Sequence, residues 1–126
     1  MIGGFAAGLG LELVDATMDA VELRWKVRPE HLQPHGIVHG GVHCAVVETV
    51  ASVGAALWLG DRGRVVGVSN QTDFLRAVGD GSLLRAVGTP IHRGRTQQLW
   101  SVEISDESDR LVARGQVRLQ NLTAAR

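Results

Sequence analysis

The chain of 126 residues has no tyrosine, one cysteine, one lysine and three prolines, and neither sign of charge is in excess. The lone thiol, Cys44, excludes an internal disulfide framework and suits a reducing compartment. With 13 basic and 13 acidic residues, the whole-molecule charge gives no support to a polyanionic partner, so no nucleic acid is expected. The absence of an unbroken apolar run of about 18 residues removes the expectation of a transmembrane helix. The N-terminal "MIGGFAAGLGLELVD" has no basic n-region and meets acids at Glu12 and Asp15, which argues against a signal peptide. These absences point to a cytoplasmic protein with no membrane partner. The skew of the bases to arginine over the single Lys26 carries no functional reading.

What is present is an apolar content of 44%, enough for one core, and the expectation is one domain over residues 1–126. In "AVELRWKVR" (20–28) Val21, Leu23, Trp25 and Val27 alternate with Glu22, Arg24, Lys26 and Arg28, the period of a half-buried strand. "GLELVDAT" (10–17) reads as a weaker strand before it. Pro29 and Pro34 then enforce a loop through about residue 40. From Val42 to Leu59 the only turn residue is Gly54, and about five turns of helix are predicted. That helix is apolar on nearly every side, so protein should surround it. Four strand-like runs follow at 64–75, 82–92, 96–105 and 110–120, with turns at "GDG", "HRG" and "DESD". Short connections imply an antiparallel sheet, and the central helix is the one element able to cover its apolar face.

Four of the five histidines, His31, His35, His39 and His43, stand four residues apart. On a helix such spacing would align ring pairs for a metal. Pro34, Gly36, Gly40 and Gly41 interrupt this ladder, and Cys44 offers the only nearby thiol. The expectation is no metal, with His31, His35 and His39 on an extended loop and only His43 in the helix.

Glu48 is the only charged residue between Val42 and Leu59. An unpaired carboxylate in apolar surroundings costs several kcal/mol, so the fold must pair it, keep it protonated or open it to a cavity. Three readings stay open: a structural carboxylate bonded to backbone or arginine, one at a subunit interface, or a catalytic base or nucleophile. Just upstream, "HGG" (39–41) puts backbone amides at the helix start, where they lack intrahelical partners and carry the positive end of the dipole. Free amides followed two turns later by a carboxylate could serve as oxyanion hole and base for acyl transfer. Glu48 lies about 12 Å along the axis from the first turn, so an acyl group must lie alongside the helix or a second subunit must complete the site.

"QPHGIVHGGVHCAVVETVAS", "VVGVSNQTDFLRAV" and "PIHRGRTQQLW" together resemble the hotdog-fold acyl-CoA thioesterases. The similarity is strongest to the 4-hydroxybenzoyl-CoA and phenylacetyl-CoA thioesterase-like branch, with its catalytic glutamate on the central helix, and spans about residues 8–122. The resemblance implies an α+β hotdog fold, a curved antiparallel sheet wrapped around one long helix. It also implies a homodimer or homotetramer with active sites at the subunit interface, and an acyl-CoA substrate with no separate cofactor.

Carried over by residue, the resemblance makes Glu48 the nucleophile or general base and the Gly40 amide the oxyanion donor. His39 would help hold the thioester, Gln33 would orient it or the water, and Ser52 would line the pocket one turn beyond Glu48. Gly41 lies beside the acyl-binding amide, and Arg76, His92, Arg93 and Arg95 are the candidate contacts to the nucleotide of CoA. Ala77 departs from the family's usual proline in "FLRAV", which changes how that loop is expected to sit. His35 and His43 match no functional position and are expected to be structural or on the surface. The implied activity is hydrolysis of an aryl- or acyl-CoA to free acid and CoA. Two alternatives are a hotdog protein that binds acyl-CoA without turnover, for which a desolvated Glu48 has no use, and a hydratase, whose His–Asp pair is missing at the helix start.

Overall fold

The computed structural model describes residues 2–123. Six strands form one antiparallel sheet: β1 (Glu12–Ala16), β2 (Val21–Lys26), β3 (Gly63–Phe74), β4 (Leu83–Arg93), β5 (Gln97–Ser105) and β6 (Leu111–Thr123). Their spatial order is β1-β2-β4-β5-β6-β3. A short helix α1 (Gly4–Gly8) precedes the sheet, and the long helix α2 (Gly40–Leu59) runs between β2 and β3 in sequence. A sheet whose inner face is packed on one helix is the expected hotdog architecture.

The alternation in β2 decides which face goes inward. Val21, Leu23 and Trp25 are buried against α2, while Arg24 and Lys26 stay in solvent. The same period recurs in β5, where Gln98, Trp100, Val102 and Ile104 are buried. α2 packs on β2, β3, β4, β5 and β6, presenting Val46, Val47, Val50, Ala51, Val53 and Ala55 to the core. Each fully buried Val, Leu or Ile contributes about 1.5–3 kcal/mol relative to exposure. Helix and sheet approach closely at Gly54, where an added Cβ would fall 2.5 Å from the Trp100 ring. By length and composition α2 could cross a membrane, but here it is the core helix of the sheet.

Three details depart from the sequence reading. α2 begins at Gly40, two residues early, because His39 caps it: its Nδ1 accepts from the Gly41 amide at 2.8 Å. α1 was not predicted; its five residues carry no apolar period and none of them is buried. β6 runs on to Thr123, paired along its length with β3. β3 leaves the helix and crosses to the far edge of the sheet, a placement set by long-range pairing. There it exposes Val66, Val68 and Phe74.

Candidate active site

Glu48 projects from α2 toward β3 and is half-buried. No arginine pairs with it among the described residues. Its partner is Asn70 of β3, whose Nδ2 donates to Glu48 Oε1 at 3.2 Å and to the Cys44 carbonyl at 3.0 Å. Thr72, two residues along β3, donates its hydroxyl to Asn70 Oδ1 at 2.7 Å. The other carboxylate oxygen lies over Gly67: a Cβ there would sit 1.9 Å from Oε2 and push the carboxylate out of this position. Ser52, one turn beyond Glu48 on the same helix, is partly buried.

At the helix start three amides have distinct fates. The Val42 N–H donates to the His39 carbonyl at 2.9 Å and the Gly41 N–H to the His39 ring, leaving the Gly40 N–H with no acceptor among the described residues. That amide carries the positive end of the α2 dipole and can stabilise a carbonyl oxygen as it gains charge. The Phe74 ring packs against Gly40, where a Cβ would meet it at 2.5 Å. Gln33, Gly40, His43, Phe74 and Arg76 line one cavity of about 290 Å³. Cys44, Asn70, Thr72, Asp73 and Arg114 line another of about 560 Å³ on the Glu48 side of β3. Within one chain, then, Gly40 and Gln33 share a cavity, while Glu48, bonded to Asn70, lines neither of the two. A third cavity, about 650 Å³ between the ends of β2 and β4, is lined by none of the sequence-predicted site residues.

The histidine ladder is dispersed into four environments. His31, in a short 3₁₀ turn rather than extended loop, is buried; its Nδ1 accepts from the Arg28 amide at 2.9 Å and its Nε2 faces the Leu9 carbonyl at 2.8 Å. His35 is exposed, and its amide donates to the Gln33 side-chain carbonyl. His39 is the helix cap. His43 is 97% buried by its 3% residual exposure, its ring edge-on to Trp25 at 6.1 Å and 6.0 Å from Phe74. Its Nδ1 is sealed without a partner, and burial pushes its imidazole down to about 4. His43 is therefore a neutral wall of the Gly40 cavity, not a surface group.

The arginines expected at the nucleotide of CoA separate as well. Arg93 is taken up inside the chain, donating to the Met18 carbonyl at 2.7 Å and to Asp19 at 3.1 Å, with Trp58 at 5.7 Å. His92, Arg95 and Arg76 are exposed. The backbone beneath Arg95 is anchored: Asn121 Nδ2 donates to the Gly94 and Arg95 carbonyls at 3.0 and 3.3 Å. Asn121 in turn accepts from buried Gln98 at 3.0 Å, and Gln98 accepts from Trp100 at 2.9 Å.

Asn70, Thr72 and Gly67 were not singled out by sequence reasoning. The available signal was a glycine in the middle of the strand-like run 64–75, which marks a bulge or a close approach.

Residues 35–113 match the model of the thioesterase superfamily, and the chain belongs to that family. The solved structure of S. sahachiroi AziG is 55% identical, covers 98% of this chain and 100% of its own, and superposes with a TM-score of 0.95. That of Rv1847 from Mycobacterium tuberculosis is 50% identical over 97% of this chain and 98% of its own, with a TM-score of 0.93. The proofreading thioesterase EntH of Cronobacter turicensis is 35% identical over 86% of this chain and 79% of its own. The protein is a hotdog-fold thioester hydrolase.

Proposed function

We propose that the chain hydrolyses the thioester of an aryl- or acyl-CoA, with Glu48 as nucleophile or general base and the Gly40 amide as the oxyanion donor. The observation that carries this reading is a carboxylate held by an amide instead of a cation, on a helix whose first N–H is unengaged. An arginine partner would neutralise the carboxylate and stabilise it against reaction; a neutral amide orients it and leaves its charge available. As a base, Glu48 takes a proton from water, whose oxygen attacks the carbonyl carbon. As a nucleophile it forms a mixed anhydride that water then opens. In either route the carbonyl electrons move onto oxygen at the Gly40 N–H, then return and expel the CoA thiolate, which is protonated.

A homodimer, or a tetramer of two such dimers, with the site between subunits fits the separation of the two cavities. The edge strand β3 bears exposed Val66, Val68 and Phe74, and a second chain pairing there would bring its own Gly40 and Gln33 near this chain's Glu48. Exposed Arg95, Arg76 and His92 are the groups proposed for the nucleotide phosphates. The compartment proposed is the cytoplasm, from the single reduced-type cysteine.

The test is release of free CoA thiol from a panel of aryl, short and long acyl-CoAs by wild type and Glu48→Gln. The expected result is a kcat lower by about 10²-fold or more with KM little changed. Equal thiol release by the two proteins would overturn the assignment.

A further inference from the structure

We propose that Asn70, held in place by Thr72, is a positioning residue that fixes the Glu48 carboxylate for attack on the thioester. The inference rests on the reading of Glu48 as the reacting acid.

A glutamate carries three side-chain torsions, and a half-buried one facing an edge strand needs a restraint to present one oxygen reproducibly. Asn70 supplies it at two points of the helix. Cys44 and Glu48 lie one turn apart on α2, and the single Nδ2 group spans them, reaching the Cys44 carbonyl and Glu48 Oε1. The orientation of the amide is not free. The Cys44 carbonyl is only an acceptor, so a reversed amide would set oxygen against oxygen there. With Nδ2 so placed, Oδ1 points along the strand to receive the Thr72 hydroxyl at 2.7 Å. Oε1 is thus tied, while Oε2 lies against Gly67 and has no donor among the described residues.

The strand is built to allow this. Gly67 and Asn70 are three residues apart, so a regular strand would turn them to opposite faces. β3 instead carries a bulge: Gly67 pairs with Leu119 and Ser69 with Arg118, leaving Val68 as the extra residue. The bulge turns both Gly67 and Asn70 toward the helix, one clearing space for the carboxylate and the other gripping it. Thr72, in phase with Asn70 after the bulge, completes the relay. A further accommodation lies on β6, where Gly115 keeps an added Cβ from standing 2.7 Å from Thr72 Oγ1.

The experiment is a mutant cycle of Asn70→Leu, Thr72→Val and the double variant, each in the wild-type and Glu48→Gln backgrounds, assayed by thiol release. Asn70→Leu should lower kcat about tenfold with KM unchanged within about twofold, the loss of one hydrogen bond to a charged group. Thr72→Val should lower kcat about threefold, and the double variant should match Asn70→Leu alone because Thr72 acts through the amide. In Glu48→Gln neither substitution should change the residual rate. A merely structural role would give additive losses or losses carried by KM, and either outcome overturns the inference. If Asn70→Leu fails to fold, an unchanged kcat in Thr72→Val overturns it equally. A Glu48→Gln protein as fast as wild type would refute the reading of Glu48 and this inference with it. An inactive Glu48→Gln with additive effects at 70 and 72 would refute the inference alone.

Discussion

Acidification should loosen this fold through His43, and the size of the effect follows from where the ring lies. The imidazole is buried beside Trp25 and Phe74, its Nδ1 has no partner, and desolvation moves its proton affinity from the ordinary 6.5 to about 4. Above pH 6.5 both folded and unfolded chains hold the ring neutral, and His43 makes stability no function of pH. Between 6.5 and about 4 the unfolded chain takes up a proton that the folded chain refuses, so stability falls as the pH falls. At 1.36 kcal/mol per pH unit that interval is worth about 3 kcal/mol. The assay is urea unfolding of wild type and His43→Phe at fixed protein concentration, in steps from pH 7.5 to pH 4, with His43→Leu as a second replacement. A replacement that packs less well displaces the whole curve, so the quantity to compare is the change in the difference between the two proteins. That difference should move by about 3 kcal/mol in favour of the variant over the acid interval. Parallel curves, with a constant offset at every pH, would refute the burial argument.

Other substitutions probe the remaining arrangement. Gly67→Ala should displace the carboxylate, because its Cβ would meet Glu48 Oε2 at 1.9 Å; kcat should fall about tenfold or more while the melting temperature hardly changes, and an unaltered kcat would contradict the geometry. Gln98→Leu strips partners from the Trp100 indole, the Ala55 carbonyl and Asn121, and should cost about 2–3 kcal/mol in urea unfolding. Arg95→Ala should raise KM for a CoA ester roughly tenfold but leave a thioester lacking the nucleotide unaffected, whereas equal loss on both substrates would remove the phosphate role.

The parts of this molecule that a reader of the sequence can recover are those governed by local period. Val21, Leu23 and Trp25 alternate with charges because one face of β2 meets the core, and the run from Val42 to Leu59 is apolar all round because strands wrap it. The start of α2 was placed two residues late because Gly40 and Gly41 are poor helix formers, and the cap that compensates is a histidine, an unusual residue for that task. The order of strands was out of reach, since β3 pairs with β6 across stretches of chain from Phe74–Ala113 to Gly63–Thr123 and nothing local announces it. Glu48 was legible as an anomaly of composition; its partner was not. Asn70 faces the helix only because Val68 bulges, so counting by twos from Gly67 puts it on the wrong side of the sheet. The histidine ladder shows the converse, a regular spacing in sequence to which the fold gives four different roles.

The cap on α2 has a consequence for what can dock there. With the imidazole of His39 closing off one N–H and its carbonyl another, the tip of the helix is a mount for a solitary oxygen. A phosphoryl group, which grips a helix tip by several oxygens at once, finds too few hydrogens to hold; a carbonyl asks for only one.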